Sequence, residues 1–266
     1  MKRIILIETS TALCSVALAE DGDVTAYRES SAPKAHASLT AVFVQEVLEE
    51  RGIKLSDCDA VCVSMGPGSY TGLRVGVSTA KGLCFGSGKP LLAVGTLDTL
   101  VAQALEKIAG QSSEDSTIKK DGTSIIPEMT VYPKFIIPMI DARRMEVYAA
   151  VFSSDVDNSS DLTQECPADS TAYKQITETA PAIIDSESFA EYLEQGPCLF
   201  IGDGAGKCAD VIRHPNAHFC QCHPKASAML RPAMTALDNG DFQDVAYFEP
   251  FYLKEFVATV SKKKLF

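Results

Sequence analysis

The chain has 266 residues, of which 46% are hydrophobic, and a formal net charge of −11. This length allows one large domain or two of ordinary size, and the hydrophobic content excludes global disorder. The acidic balance argues against independent binding of RNA or DNA, because phosphate contacts need concentrated lysine and arginine. No apolar run approaches the roughly 20 residues of a membrane helix, and the run at 4–7 is too short for a signal peptide. A cytoplasmic protein without a membrane contact is therefore expected.

The cysteine pattern predicts reduced thiols and no metal site. Nine cysteines are present, an odd number, and several lie within apolar runs, where a free cysteine behaves as a small buried hydrophobe. The densest group of possible metal ligands consists of His218, Cys220, Cys222 and His223. Because no second pair stands at ligand spacing, this group is not expected to hold a metal.

Short apolar runs and turn residues predict a regular order of elements in the first half of the chain. Three strands come first, with the strong turn signal Asp21-Gly22 between the second and the third. A helix ended by Gly52, a strand, a glycine-rich helix, a strand and a last helix follow. The predicted ranges are 4–7, 14–19, 24–28, 35–51, 60–64, 71–85, 90–94 and 96–108.

The loop and helix at 66–83 form the most informative stretch. A buried strand, a glycine loop and a helix start that Ser69 can cap resemble an anion-binding corner. Gly72, Gly76 and Ala80 recur every fourth residue, so one face of the helix has almost no side chains. Since glycine in a helix costs about 1 kcal/mol relative to alanine, this bare face predicts close packing. The contact is either a partner helix or the neighbouring sheet of the same chain.

The helix predicted at 35–51 is apolar around most of its circumference. Leu39, Phe43 and Val47 belong to this apolar surface, and only one clearly polar wedge remains. A helix that is apolar on so many sides is usually covered on two of them. A lone monomer with a single sheet would cover only one, so a partner on the other side is expected.

The second half repeats the order of the first. Its predicted strands lie at 135–140, 145–152, 198–201 and 218–222, and its helices lie at 187–194, directly after 202–206, and at 226–237. The polar segment 111–130 between the halves indicates an exposed insertion. The repetition predicts an α/β fold of two duplicated lobes with mixed sheets, at 1–110 and 131–266.

Two lobes of this kind resemble the superfamily of actin, heat-shock chaperones and sugar kinases, which grip ATP between the lobes. Acidic residues end the first strand of both lobes there, and Glu8 and Asp141 occupy the equivalent positions here. The phosphate loops of such proteins normally contain glycine, because the backbone must approach the phosphates closely. Neither 9–11 nor 142–144 contains glycine, so both loops are expected to be degenerate and no cofactor is expected.

Five segments are more specifically similar to the TsaB (YeaZ) family, which belongs to bacterial tRNA threonylcarbamoyladenosine synthesis and was long mislabelled as glycoproteases. The segments are 7–10, 66–83, 141–148, 202–205 and 250–254, in the family's order. The resemblance covers nearly the whole chain apart from 111–130. The long segment is specific, whereas the short ones would be weak signals alone.

The catalytic TsaD relatives of that family hold a metal with two histidines just after the strand that follows a similar glycine helix. Thr96 and Leu100 stand at the corresponding positions here. Threonine is a poor metal ligand and leucine is none, so the resemblance implies a pseudo-enzyme without this metal. Ser10 and Ser69 lack the Gly-x-Ser-x-Gly elbow and the nearby histidine and acid of a hydrolase, so protease activity is not expected.

The resemblance implies a scaffold that pairs with TsaD and supports recruitment of the ATPase TsaE, for threonylcarbamoyl transfer to a tRNA adenosine. A homodimer is expected when the chain is alone, and tRNA is expected only through the complex. The two apolar or bare helices of the first half would form the partner interface, through His36, Leu39, Phe43, Val47, Gly72, Leu73, Gly76, Ala80 and Leu83. An ATP-dependent kinase or ATPase of the same superfamily is the alternative, and a metal-dependent peptidase is a third hypothesis.

Overall fold

The computed structural model of the protein describes residues 1–111, 132–154 and 173–254. Almost all of the predicted insertion at 111–130 lies outside the described residues. Within the described part, no helix is both long enough and apolar enough to cross a membrane.

Residues 1–111 contribute a mixed sheet and three long helices. Strand order is β3-β2-β1-β4-β5, with β1 antiparallel to β2 and parallel to β4. The predicted hairpin turn is present, with positive φ at Asp21 and Gly22. The bounds in chain order are β1 (Arg3–Glu8), β2 (Cys14–Glu20), β3 (Asp23–Ser30), α1 (Ala35–Glu50), β4 (Ala60–Gly66), α2 (Tyr70–Ser87), β5 (Leu91–Gly95) and α3 (Thr96–Gln111).

The second sheet has the same plan. Its main path is β10-β7-β6-β11-β12, again with an antiparallel hairpin on one side of the first strand and parallel strands on the other. The predicted α/β fold of two duplicated lobes with mixed sheets is therefore confirmed. The bounds are β6 (Phe135–Asp141), β7 (Glu146–Ala149), β8 (Phe152–Ser154), β9 (Tyr173–Gln175), β10 (Ala180–Ile183), α4 (Ala190–Leu193), β11 (Cys198–Gly202), α5 (Ala205–Ala209), β12 (Ala217–Gln221), a 3₁₀ turn (Ala226–Met229) and α6 (Leu230–Asn239).

Three elements of the second half differ from the prediction. The single strand predicted at 145–152 is two strands, because β7 pairs with β10 whereas β8 pairs with β9. The helix predicted at 187–194 is reduced to the single turn of α4, which begins after Phe189 in the left-handed region at φ 63°. The helix predicted at 226–237 begins as a 3₁₀ turn and becomes α-helical at Leu230.

The helices are exchanged between the two sheets. One face of the first sheet packs on α1 and α2, and its other face packs on the 3₁₀ turn and α6 through Met229, Leu230 and Ala233. Conversely, α3 buries Leu100 and Leu105 against the second sheet, whose other face is covered by α4 and α5. Each half of the sequence therefore completes the core of the other, and the boundary predicted at 111–130 does not separate two independent cores. The lobe limits 1–110 and 131–266 stay predictions.

Candidate functional site

Glu8 ends β1 and is completely buried at the start of the β1–β2 loop. Its Oε1 accepts hydrogen bonds from the Ser10 backbone N–H at 2.6 Å and from Ser64 Oγ at 3.0 Å. Its Oε2 has no hydrogen-bond partner among the described residues. Burial disfavours the charged form and raises the pKa of Glu8 to about 7, although both hydrogen bonds oppose that shift.

The N-terminal part of α2, together with Gly68 just before it, packs directly against the backbone of the β1–β2 loop. A Cβ atom at Gly68 would lie 2.3 Å from the Ser10 carbonyl oxygen, and one at Gly72 would lie 2.1 Å from the Thr9 carbonyl oxygen. A Cβ atom at Gly76 would lie 2.1 Å from Thr9 Oγ1. Real Cβ atoms do not approach other atoms so closely, so glycine is needed at these positions for the helix to reach the loop.

This packing closes the loop that would hold phosphate in an ATP-binding relative. Thr9 and Ser10 are fully buried. The Ser10 N–H is already bonded to Glu8, and the Thr9 N–H lies 3.4 Å from Ser64 Oγ, which accepts from it. An anion could use these backbone donors only if α2 moved away and the internal hydrogen bonds broke.

Asp141, at the equivalent end of β6, has the opposite environment because its loop is exposed. The Lys207 ammonium group pairs with the Asp141 carboxylate and also donates to the carbonyl oxygens of Arg144 at 2.8 Å and Glu146 at 2.7 Å. The Arg143 N–H donates to Asp141 Oδ1 at 2.9 Å. Lys207 therefore neutralises the predicted acidic residue and fixes the β6–β7 turn.

Asp203 lies beside Asp141 at the end of β11. Its Oδ1 accepts the Asp141 N–H at 2.9 Å, and its Oδ2 lies 3.8 Å from His223 Nδ1. Burial raises the pKa of the Asp203 carboxyl, against the opposing effect of the Asp141 N–H. No role was predicted for Asp203 or Lys207, because the contacts that define them join residues far apart in the chain.

Thr96 and Leu100, the two residues from which the sequence predicted a missing metal site, are both fully buried at the start of α3. Leu100 Cδ1 lies 3.0 Å from where a Cβ atom of Gly202 would be, so its side chain packs against the second sheet. Within the residues that the structure describes, no three His, Cys, Asp or Glu side chains are grouped to hold a metal ion. The absence of a metal stays a prediction.

The predicted interface residues divide into two groups. His36, Leu39 and Leu83 are half-buried, and His36 Nε2 donates to the Thr11 carbonyl oxygen at 2.9 Å. The others are buried within the chain itself: Phe43, Val47, Gly72, Leu73, Gly76 and Ala80. This is a correction to the expected placement, because the bare face of α2 lies against the β1–β2 loop. Of the two contacts left open above, packing within the chain is the one observed.

A second set of small residues on α2 faces outward. Gly82 and Gly86 have open space where a Cβ atom would be, and Ser78 lies one turn before them on the exposed side. Phe85, which is 86% exposed, lies next to these glycines, and Val42 is exposed on the neighbouring α1. Sequence reasoning missed this surface because both glycine registers have a four-residue spacing, and spacing alone does not tell which one is buried.

The family model described as "TsaD: tRNA N6-adenosine threonylcarbamoyltransferase" matches residues 29–113. The tRNA threonylcarbamoyladenosine biosynthesis protein TsaB of Escherichia coli is 29% identical over 264 residues, which cover 96% of each chain. The protein of the same name from Haemophilus influenzae is 36% identical over 103 residues, 39% of this chain and 43% of that one. The solved structure of YeaZ from Pseudomonas aeruginosa has a TM-score of 0.71 at 24% identity, and covers 95% of this chain and 100% of that one. This structural likeness concerns the fold alone.

Gly76→Ala should destabilise the protein by about 1–3 kcal/mol, because the new methyl group would overlap Thr9 Oγ1. Gly82→Ala, in the same helix but facing open space, is the control and should stabilise by up to about 1 kcal/mol. Urea unfolding of both variants gives the comparison. Combining Gly76→Ala with Thr9→Ala should recover much of the loss. Equal effects at Gly76 and Gly82 would contradict the described packing.

Glu8→Gln should remove a pH dependence of stability. A carboxyl with a pKa of about 7 in the folded protein, raised above its unfolded value, contributes full stability below about pH 4.5 and loses it as the pH rises through 7. The wild type should therefore lose about 2–3 kcal/mol between about pH 5 and about pH 8, and Glu8→Gln should lose much less. Glu20→Gln is the control, because Arg3 and Arg51 stabilise the ionised Glu20 carboxylate and lower its pKa. Glu20 therefore contributes stability at high pH and loses it at low pH, the opposite of Glu8. Parallel pH profiles for wild type and Glu8→Gln would disprove the assignment.

Proposed function

The chain belongs to the TsaB (YeaZ) family, and from this membership we propose that it is a non-catalytic subunit of tRNA threonylcarbamoyladenosine synthesis. Biosynthesis of this modified nucleoside is the role that the relatives' names give. The finer proposal is that the chain pairs with a TsaD protein and supports recruitment of the ATPase TsaE. It forms a homodimer when alone and meets tRNA only through the complex.

The closed β1–β2 loop is the observation that supports a non-catalytic role best. In an ATP-binding relative this loop would surround a phosphate, but here Gly68, Gly72 and Gly76 bring α2 directly onto it. The nearby carboxyl, Glu8, is buried and its pKa is raised to about 7, so near neutral pH a substantial fraction of it is protonated and a poor ligand for Mg²⁺. Both features oppose nucleotide chemistry between the lobes.

The outward surfaces of α1 and α2 support the pairing with TsaD. Phe85 and Val42 are large apolar side chains in solvent, and such residues are unfavourable on a surface that stays uncovered. Gly82 and Gly86 would allow the backbone of a partner helix to approach closely. We propose that these four residues, with the half-buried His36, Leu39 and Leu83, form the partner surface.

Two other functions remain as alternatives. An ATP-dependent kinase or ATPase would bind its nucleotide between the lobes, near Glu8 and Asp141, and the exposed second loop with Asp141 and Asp203 is the feature that favours it. It also requires the first loop to open, which the packing of α2 opposes. A metal-dependent peptidase has less support, because Thr96 and Leu100 replace the histidines that bind the metal in TsaD.

Phe85→Glu and Val42→Glu should weaken association with the TsaD protein of the same cell by about 10- to 100-fold, because each buries a charge in an apolar contact. The melting temperature should change little, because both side chains are exposed in the free chain. Ile183→Glu, at a 78% exposed apolar side chain on the second sheet, is the control and should leave association unchanged. Purification with a tagged partner and calorimetry measure the effect. Unchanged association of both α-helix variants would exclude this surface.

The isolated chain should bind ATP weakly or not at all, because the donors of the β1–β2 loop are already bonded within the chain. Calorimetry on the purified protein tests this expectation. A low-micromolar Kd without a partner would favour the ATPase alternative. Elemental analysis of the same sample should find no stoichiometric zinc or iron, and about one metal per chain would favour the peptidase.

A further inference from the structure

The segment 250–254 contacts both lobes. On the first lobe, the Phe251 N–H donates to the Met65 carbonyl oxygen at 2.7 Å. On the second lobe, Lys254 pairs with Glu146 in β7 and lies 6.0 Å from the centre of the Tyr148 ring. The segment therefore links the end of β4, just before α2, to β7, which begins at the β6–β7 turn.

Aromatic rings and a guanidinium group are stacked on the first-lobe side of this surface. The rings of Tyr70 and Tyr252 are 4.7 Å apart and inclined by 36°. The Arg74 guanidinium lies 4.6 Å from the centre of the Tyr70 ring and is hydrogen-bonded to Tyr252. Arg74 is exposed, and both tyrosines are half-buried, so planar groups reach the solvent here.

Two further arginines lie on the second-lobe side, in the β6–β7 turn. Arg143 and Arg144 are exposed, and both adopt left-handed backbone conformations, with φ of 73° and 52°. Neither has an ion pair with a described residue, and the same holds for Arg74.

Three other arginines do pair with acidic residues. Arg3 and Arg51 pair with Glu20, and Arg28 pairs with Glu46 and Glu50. Arg213 and Arg231 are also exposed and have no ion pair with a described residue, so the lack of a pair alone does not distinguish this surface. What distinguishes Arg74 is its place beside the stacked rings of Tyr70 and Tyr252.

We infer that Tyr70, Arg74, Arg143, Arg144, Tyr252 and Lys254, here called the bridging patch, bind single-stranded RNA. Unstacked bases would pack on the tyrosine and guanidinium planes, and phosphates would pair with the arginines. Asp141 and Glu146 beside the patch pair with Lys207 and Lys254, whereas Arg74, Arg143 and Arg144 have no ion pair with a described residue. Glu249 is a further negative charge near Tyr252. The inference rests on the proposed function, because the RNA would be an unpaired loop of the tRNA held by the complex.

RNA explains the patch better than an acidic protein segment does. A carboxylate-rich partner would need the arginines but not two stacked tyrosines, whereas every base offers a flat face to an aromatic ring. The overall negative charge of the chain opposes long-range attraction, so the binding should be weak and strongly dependent on salt. At about 150 mM salt the isolated chain is not expected to retain tRNA.

The test uses the full chain at about 20 mM salt, where weak phosphate contacts are measurable by fluorescence anisotropy. The probes are a labelled RNA stem-loop with an unpaired loop and a blunt RNA duplex of the same length. The wild type should bind the stem-loop more tightly than the duplex. Arg143→Ala combined with Arg144→Ala should weaken stem-loop binding about 10-fold and reduce the slope of log K against log salt by about one.

Three further variants distinguish a loss of positive charge in general from the specific effects of the patch arginines and of the Tyr252 ring. Arg213→Ala, at another exposed arginine with no described ion pair, should leave binding unchanged. Tyr252→Ala should reduce stem-loop binding more than duplex binding, and Tyr252→Phe should restore it because the ring is kept. Equal binding by the wild type and the double arginine variant would overturn the inference. Competition by polyglutamate as strong as by unlabelled stem-loop would also overturn it, in favour of an acidic protein partner.

Association with the TsaD protein is measured separately on the same variants. Arg143 and Arg144 lie outside the proposed partner surface, so the double variant should still purify with TsaD while its complex binds tRNA less tightly. If the isolated double variant loses RNA binding but the wild type does not associate with TsaD, the proposed function is rejected and the RNA patch is kept. Intact association with unchanged RNA binding would reject the patch and keep the proposed function.

Discussion

The contact between α2 and the β1–β2 loop is the constraint on which the rest of the first lobe depends. Gly72 and Gly76 permit the helix backbone to reach Thr9, and any side chain at either position would prevent it. Because the helix is so close, Glu8 and the loop lose contact with solvent, and the loop donors bond within the chain. The same contact directs the opposite side of α2, with Gly82 and Phe85, into solvent. The same packing therefore closes the β1–β2 loop and exposes the surface that we propose for a partner.

The two lobes share a topology but have become chemically different at the ends of their first strands. Glu8 is buried with a pKa raised to about 7, so a substantial fraction of it is protonated near neutral pH, whereas Asp141 is exposed and paired with Lys207. A site that holds a phosphate and its metal ion needs anionic oxygen ligands and free backbone donors from both sides. Here one side offers only a partly ionised carboxyl and donors that are already bonded, and the other is already bound by an ammonium group. The two ends of the duplicated fold therefore no longer offer matching groups to a ligand between them.

Element order and fold class could be predicted from the sequence because hydrophobic periodicity and the Asp21-Gly22 and glycine-loop signals are local. The spacing of Gly72 and Gly76 also predicted a close contact, but not its direction, because a period of four residues fits an inward and an outward face equally. Contacts between distant segments had no local signal. Examples are Lys207 with Asp141, and the short strand β10, which is defined by its pairing with β7 rather than by its own pattern. The resemblance of 250–254 to a family motif was visible in the sequence, but its contacts with both lobes could be seen only in the folded structure.

The exchange of α3 and α6 between the lobes opposes a hinge motion of one lobe against the other. Enzymes that close around a ligand move one lobe against the other, which requires an interface that can separate at low cost. Here, Leu100 and Leu105 of α3 are buried against the second sheet, while Met229 and Leu230 are buried against the first. Gln103 adds hydrogen bonds to the backbone of His223 and Lys225. Separating the lobes would expose both apolar contacts together, so the shared core opposes motion of one lobe against the other. The same core holds the proposed partner surface and the bridging patch in one arrangement, which agrees with the proposed role as a scaffold.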